Sequence, residues 1–460
     1  MRTTTLTPRG PHTNVWSWRQ LSYSRRLRVA IGYAPVTSAT NTNPGCSDPV
    51  QQAATQSQGF SPQRCLYAAR ALRDFGDSFV AILLPAYLLA LGMTPLAVGV
   101  LATISLLGSA GLTIAVGVLG ARFGHRRLLL AAASLMIVTG FAFAAFHEFA
   151  VLLVIAFVGT INPSAGNVSV FVPLEHAALA GAARDADRTA VFARYSLAGA
   201  LAAAIGALAA GAPDILQPLG IDRLAVMQAM FVLYGFIGVA GRVLYARLPR
   251  DATATKAAAT TPLGRSRGIV FRLAALFSLD AFAGGLVVQS LLALWLFQRF
   301  RMSLADAGVF FFWAGLLAAL SLPVAARLSR RIGLVNTMVF THIPSSIALI
   351  LAAIAPTLAS ALALLLVRAA LSQMDVPTRS SYVMAVVTEP ERAAAASFTS
   401  VPRSLASAVS PALAGSLFAA SYLAAPLLIC GTLKIVYDLL LLVQFRHLRP
   451  PEERRAGEAP

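Results

Sequence analysis

Long runs of hydrophobic residues, separated by short polar links, follow one another from about residue 74 to residue 445. Each run holds about 20 residues or more, which as an α-helix is enough to cross the ~30 Å hydrocarbon core of a membrane. The runs are continuous rather than alternating, so helices are predicted and a β-barrel is not. The pattern indicates an all-α integral membrane protein with twelve spans, at residues 74–93, 95–119, 128–146, 149–176, 190–211, 225–246, 270–296, 304–326, 334–354, 357–386, 398–420 and 425–445.

The second half of the chain repeats the first about 204 residues later. Three pairs of residues in matching contexts have this separation, namely Pro173 and Pro377, Arg188 and Arg392, and Gly211 and Gly415. A duplicated helical bundle in a membrane is typical of a transporter whose halves rock about a central site. We therefore predict two pseudo-symmetric six-helix bundles, at residues 67–246 and 269–447.

Three polar segments lie outside the predicted bundles. Residues 247–268 are basic and rich in small polar residues, as expected of a linker, and residues 448–460 form a charged tail. Residues 1–66 are basic and rich in Ser and Thr, with no acid before Asp48. This composition fits a disordered tail or a start codon assigned too far upstream, and it also resembles an organellar transit peptide.

Arginines are concentrated in the links that follow even-numbered spans. Four of the links that follow odd-numbered spans have none, although Arg299 and Arg301 lie against this pattern. By the positive-inside rule, the linker and both termini are predicted to be cytoplasmic. We expect a monomeric, multi-pass protein of a bacterial inner membrane.

The composition excludes several classes of protein. The chain is 57% hydrophobic and only 12% charged, whereas charged residues make up about a quarter of a soluble domain. The net charge of +18 comes from arginines in short links, so nucleic acid is not an expected partner. Three scattered cysteines and six histidines without helical pairing give no metal site, and no cofactor is expected. No nucleophile–base pair or phosphate-binding loop is present, so the chain is not expected to be an enzyme.

The link after the second span resembles the signature loop of the major facilitator superfamily, Gly-x-x-x-Asp-Arg-x-Gly-Arg-Arg. The matching residues are Gly117, Arg122, Gly124 and Arg126, while Ala121 replaces the acid and His125 replaces a basic residue. The resemblance covers roughly residues 67–447. It implies a secondary transporter that moves a small molecule by alternating access, with the motif at a cytoplasmic gate. If the acid of the family latches the two halves, the latch is weaker here or is built elsewhere.

Charged residues also fall inside the predicted spans, where an unpaired charge costs several kcal/mol. In the first span, Arg73 and Asp77 share a helical face, and Asp74 is a neighbour of Asp77. Asp280 lies in the seventh span, which is the repeat partner of the first. Neighbouring carboxylates beside a cation can share a proton, so Asp77, Asp280 and Asp74 are the candidates for proton coupling.

Glu175 and Arg379 occupy matched positions, 204 residues apart, near the cytoplasmic ends of the fourth and tenth spans. We expect Glu175 to bind Arg122 or Arg126, and Arg379 to bind an acid of the other half. Both are assigned to the gate rather than to the substrate.

Other embedded polar residues are candidates for lining a substrate cavity. Some of them interrupt a span, which frees backbone groups to line a cavity, and Arg368 and Asp375 are two helical turns apart on one face. These candidates are Asn162, Asn167, Gln289, Arg368, Asp375 and Arg403. Lys434 and Asp438, four residues apart, are interpreted as a structural ion pair.

Together these features predict a secondary active transporter of a small molecule, coupled to protons and embedded in the lipid bilayer. Efflux of drugs or metabolites is one hypothesis, although the fifth span lacks the proline of the family's Gly-Pro-x-x-Gly-Gly efflux motif. An uptake permease or uniporter for an organic anion is the alternative, since embedded arginines bind carboxylates or phosphates well. A receptor that keeps the transporter fold without transporting is a more distant alternative.

Overall fold

The computed structural model describes residues 61–165, 169–182, 188–249, 264, 266–388 and 391–445. These residues form sixteen α-helices and one 3₁₀ turn, and they contain no β-strand. The prediction of an all-α protein is therefore confirmed for the described part of the chain. The helices of the first half are α1 (Pro62–Ala90), α2 (Pro95–Phe123), α3 (His125–Ala145), α4 (Phe149–Val158), α5 (Phe171–Ala182), α6 (Arg188–Ala209), α7 (Ala212–Leu216) and α8 (Arg223–Ala246), with the 3₁₀ turn at Gln217–Leu219.

The second half begins at Arg267 and contains eight helices. Two of its spans are each built from two shorter helices, as the fourth span is in the first half. The helices are α9 (Arg267–Gly285), α10 (Gln289–Phe300), α11 (Leu304–Ile332), α12 (Leu334–Ile354), α13 (Leu358–Ser372), α14 (Asp375–Val386), α15 (Arg392–Ala419) and α16 (Ala425–Phe445).

Eight helical segments among the described residues are long and apolar enough to cross a membrane. They correspond to eight of the twelve predicted spans. The fourth and tenth predicted spans fall short because each is broken into two helices. The first and eleventh are continuous but carry several charged or hydroxyl side chains. The chain is thus a helical membrane protein, and for these four segments the spanning role stays a prediction.

The two halves pack in the same way. In the first half α1 packs on α6 and α3 packs on α8, and in the second half α9 packs on α15 and α12 packs on α16. Between the halves, α2 packs on α15, and the equivalent helices α11 and α6 pack on each other. The architecture therefore has the pseudo-symmetry that the sequence repeat predicted.

Small residues let the halves approach closely at the end away from the linker. A Cβ atom on Gly99 of α2 would lie 2.5 Å from the carbonyl oxygen of Pro411, and one on Gly415 would lie 2.8 Å from the Cα of Gly99. The equivalent crossing places Gly308 of α11 against the backbone of Ala207. A larger side chain would push the backbones apart, so glycine is needed here for packing.

Two of the helix breaks meet each other across the halves. The backbone of Ser290, just after the break between α9 and α10, donates a hydrogen bond to the carbonyl of Pro163 at 3.1 Å. Pro163 lies in the break between α4 and α5. The amide of Gln289 also reaches the carbonyl oxygen of Ser78 on α1, at 3.5 Å. The breaks thus free backbone groups that bind the opposite half.

The boundaries of the predicted tail and linker differ slightly from the helices. Helix α1 begins at Pro62, five residues before the predicted bundle, because Ser61 caps it and Pro62 suits its first position. The rest of the predicted tail, residues 1–60, and most of the linker, residues 250–263, lie outside the described residues.

At the end of the linker, Glu391 fixes the start of the second half. Its carboxylate accepts hydrogen bonds from the backbone N–H groups of Gly264 at 2.8 Å and Ser266 at 3.1 Å. The hydrogen bonds from Ser266 and Gly264 lower the pKa of Glu391 to about 2. This carboxylate ties the residues just before α9 to the start of α15.

Candidate functional site

Each half contains a cluster of buried charged and polar side chains. The first cluster is centred on Arg73 of α1, which is 3% exposed and lies among three carboxylates. Its guanidinium is 2.8 Å from Glu175 of α5, 3.2 Å from Asp74 and 3.7 Å from Asp77. Arg70 pairs with the second oxygen of Asp74 at 2.6 Å. This set of residues is called the first-half cluster below.

Glu175 is fully buried and has three partners in the first-half cluster. Besides Arg73, the hydroxyl groups of Tyr195 on α6 and Tyr245 on α8 donate hydrogen bonds to its two oxygens. Charged acceptors of this kind form the stronger hydrogen bonds in proteins. Glu175 therefore joins helices α1, α5, α6 and α8 through one carboxylate.

Asp77 is held separately by Tyr234 of α8. The phenol of Tyr234 donates to Asp77 at 3.0 Å, and it lies 3.3 Å from the hydroxyl of Thr160. Thr160 is in the break between α4 and α5. Asp77, one of the three acids predicted for proton coupling, is thus connected through the phenol of Tyr234 to the broken fourth span.

The second cluster is centred on Asp280 of α9, which is 4% exposed. Its two oxygens bind cations from two different helices. The ammonium of Lys434 on α16 is 2.6 Å from one oxygen, and the guanidinium of Arg379 on α14 is 3.0 Å from the other. Arg379 also pairs with Asp375 at 3.2 Å. This set, with His342 and Asp438 described next, is called the second-half cluster.

His342 of α12 links Lys434 to Asp438. Its Nε2 atom is 3.3 Å from the ammonium of Lys434, and its Nδ1 atom is 3.0 Å from Asp438. A lysine ammonium can only donate, so Nε2 acts as the acceptor. The hydrogen is then on Nδ1, which donates to Asp438.

The two clusters are built on equivalent helices with different residues. Arg73 of the first half stacks over Phe171, at 5.0 Å from the ring centre. In the second half, Arg379 stacks over Phe277, at 5.6 Å. Phe277 is 204 residues after Arg73, and Arg379 is 204 residues after Glu175. The phenylalanine of the second half therefore takes the position of Arg73, and the arginine takes the position of Glu175.

The structure brings together most of the predicted charged residues but changes their partners. Asp74, Asp77 and Glu175 share one cluster, and Asp280, Asp375 and Arg379 share the other. The prediction that Glu175 binds Arg122 or Arg126 is wrong, because Arg73 from the adjacent helix reaches it first.

Two further pairings also differ from the prediction. Arg379 binds acids of its own half and not of the other. Lys434 and Asp438 do not pair with each other. Lys434 pairs with Asp280, and Asp438 pairs with His342.

The signature loop has a mainly structural arrangement. Gly124 has a φ of +73°, which favours glycine, and it lets α3 begin directly after α2. Arg126 donates to the carbonyl of Ala246 at the end of α8, at 2.8 Å. Gly117 is exposed, and the side chain of Arg122 lies outside the described residues.

The predicted cavity candidates separate into different environments. Asn162 is buried and accepts from the backbone of Ser164 at 2.8 Å, and Gln289 binds the first half as described above. Arg368 lies near Cys430 of α16 and forms no ion pair with Asp375. Arg403 is exposed and lies within electrostatic range of Arg379, Asp280 and Asp375. Asn167 lies outside the described residues.

Sequence reasoning missed the neutral members of the clusters. Tyr195, Tyr234 and Tyr245 lie in apolar runs, where a tyrosine is easily read as part of the hydrophobic core. His342 was visible as a polar residue inside the ninth span and could have been found by that signal. Among the described residues, no group of three or more His, Cys, Asp or Glu side chains is arranged to hold a metal ion.

Two packed halves with buried charges at their centres define a membrane transporter of the duplicated type. The chain belongs to the Major Facilitator Superfamily, whose family model matches residues 66–371 and 273–460. The family that the signature loop suggested is therefore confirmed.

The chain is also similar to individual proteins. It is 25% identical over 418 residues to an uncharacterized membrane protein of Saccharomyces cerevisiae, which covers 83% of this chain and 93% of the relative. A mutant of the nucleoside transporter NupG has a TM-score of 0.67 at 12% identity, covering 84% of this chain and 100% of that chain. The human organic anion transporter MFSD10 (TETRAN) has a TM-score of 0.58 at 18% identity, with 84% and 100% covered. At these identities the solved structures show a shared fold.

Proposed function

We propose that the protein is a secondary active transporter that moves a small molecule by alternating access and is coupled to protons through Asp280. The observation that carries the proposal is the sharing of this one buried carboxylate by Lys434 and Arg379. The two cations favour the ionised form of Asp280 in this state, so the carboxylate takes up a proton when one of them moves away, and the proton then removes the charge that holds both cations. Its protonation therefore changes the packing of α9 against both α14 and α16.

The position of Asp280 connects this change to the interface between the halves. Asp280 lies five residues before the end of α9, and the break that follows leads to Gln289 and Ser290, which bind the first half. A shift of α9 would therefore move the residues that bind the first half. This path supports coupling between protonation and rocking.

The arginine-rich links support a topology with the linker and both termini in the cytoplasm. In that orientation, the close contacts at Gly99 and Gly308 lie on the outer side. We assign the structure to the state that is closed on that side. The first-half cluster, nearer the linker end, then belongs to the cytoplasmic gate.

Transport and coupling can be tested together in liposomes that contain the purified protein and a trapped pH-sensitive dye. A panel of cationic drugs, organic acids and sugars is added at a fixed pH gradient, and both solute flux and proton movement are recorded. We expect at least one solute to move with protons in the wild type, and the direction of the driving gradient distinguishes uptake from efflux.

The decisive variant is Asp280→Asn, with the exposed Asp306→Asn as the control. We expect Asp280→Asn to exchange solute without moving protons, while Asp306→Asn behaves as the wild type. Solute flux with no proton movement in the wild type would contradict coupling and indicate a uniporter. Absence of flux for every member of the panel would instead favour the receptor.

A further inference from the structure

Arg403 is a charged residue of the second half that forms no ion pair with a described residue. It lies on α15, which runs beside α9. The rings of Phe398 and Phe271 are in contact at 5.9 Å, and further along Ser407 and Ser410 abut Gly285. Arg403 lies between these two contacts, so it is at the level of Asp280.

The direction of Arg403 follows from the exposed apolar residues of the same helix. Val401 and Leu405 are exposed hydrophobic residues, as expected of side chains facing lipid. Arg403 is two residues from each, which is about 160° away around an α-helix. It shares a face with Ser410, two turns away and fully buried. Arg403 is nevertheless exposed, so its guanidinium faces open space inside the bundle.

Charged groups of both signs surround Asp280. The cations are Lys434, Arg379 and Arg403, and the carboxylates are Asp280, Asp375 and Asp438. The imidazole of His342, the phenol of Tyr437 and the thiol of Cys430 also lie near Asp280, and Arg368 lies beyond Cys430. One proton on Asp280 adds one positive charge to this set.

We infer that Arg403 and Arg379 bind the carboxylate of a monoanionic organic acid, and that this site becomes available when Asp280 takes up a proton. Arg379 is held by Asp280 and Asp375 in the structure, and protonation of Asp280 frees part of its guanidinium. Arg403 already faces the open space beside it. A planar guanidinium binds a carboxylate through paired hydrogen bonds.

The added charge also selects among anions. A monocarboxylate carries the single negative charge that offsets the added proton, whereas a phosphate monoester carries about −1.5 to −2 at pH 7. One proton and one monoanion bind together, so their joint movement transfers no net charge. The inference rests on the proposed function and deepens it by naming the class of substrate.

Binding can be tested on the purified full-length protein without any transport measurement. The melting temperature is recorded with a matched panel of aromatic monocarboxylates, their amides, benzylamine and phenyl phosphate. We expect members of the monocarboxylate set to stabilise the wild type and their amides to have no effect. The inference is overturned if no monocarboxylate stabilises the protein, or if the amides or phenyl phosphate stabilise it equally.

The role of Arg403 is tested with Arg403→Gln. Arg242→Gln is the control because Arg242 is an exposed arginine of the first half that binds Ser134. We expect at least a tenfold loss of carboxylate affinity in Arg403→Gln and none in Arg242→Gln. Unchanged affinity in a folded Arg403→Gln protein would overturn the inference. Arg403→Lys, which keeps the charge and loses the planar fork, should retain part of the affinity.

The pH dependence distinguishes this inference from the proposed function. We expect the carboxylate affinity of the wild type to rise as the pH falls, and to be independent of pH in Asp280→Asn. The same pH dependence in both proteins would overturn the role of Asp280. Carboxylate binding without proton-coupled flux would leave the anion site standing and refute coupling. Proton-coupled flux of only cations or neutral solutes would support coupling and refute the anion site.

Discussion

The carboxylate of Glu175 lies 2.8 Å from the guanidinium of Arg73, and the two buried residues are 102 positions apart in the chain. Glu175→Gln leaves Arg73 with Asp74 and Asp77, but it removes the charged acceptor that Arg73, Tyr195 and Tyr245 share. A buried donor that loses its acceptor costs about 1–3 kcal/mol, so we expect the free energy of unfolding to fall by about that amount. Thermal melting in detergent measures this, with Glu148→Gln as the control because Glu148 is exposed. Equal melting temperatures for the two variants would contradict the central role of this pair.

The glycine contact between α2 and α15 gives a prediction about conformation. A valine at position 99 would meet the backbone of Pro411 and Gly415, so Gly99→Val should separate the halves at this end. The matched control is Gly111→Val on the same helix, where an added Cβ meets nothing within 4 Å. Spin labels on cysteines introduced at Thr94 and Tyr422, in a protein whose own cysteines are replaced, should report a longer distance in Gly99→Val only. An unchanged distance would show that the contact does not control closure.

The contact of Glu391 with the linker predicts a dependence of stability on pH. Its pKa in the folded protein is about 2, below the usual value for a glutamate, so the carboxylate stabilises the folded state fully above the unfolded pKa. This contribution is lost as the pH falls through the folded value. The melting temperature of Glu391→Gln should lie below that of the wild type at pH 7, and the difference should shrink towards pH 3. A difference that stays constant with pH would argue against ionisation as the cause.

Two neighbouring arginines in the signature loop allow a stabilising contact to be distinguished from a charge that only sets membrane topology. Arg126 donates to the last turn of α8, whereas Arg127 is exposed. A cation at a helix C-terminus contributes typically 0.3–1 kcal/mol, so Arg126→Gln should lower the stability by about that amount. Arg127→Gln should leave the melting temperature unchanged. Identical shifts of the melting temperature in both variants would mean that the hydrogen bond from Arg126 to Ala246 does not stabilise the protein.

The fold was predictable from the sequence because long apolar runs and a repeat of 204 residues are both visible in one chain. The embedded acids were also predictable, since a charge stands out against such runs. Their partners were not, because the pairs join helices about 100 residues apart, as Asp280 and Arg379 do. The tyrosines that bind Glu175 were hidden for a different reason, since a phenol does not interrupt an apolar run.

Every ion pair described above joins two residues of the same half. The described contacts between the halves are the close backbone approaches at Gly99 and Gly308, the hydrogen bonds of Gln289 and Ser290, and those from the backbone N–H groups of Ala305 to Asp214 and of Ala412 to Thr103. None of them joins two opposite charges. Dissolved salt screens charges and leaves such contacts largely untouched. We therefore expect the rate of the conformational change to be nearly independent of ionic strength and to depend on how closely the small residues pack between the halves.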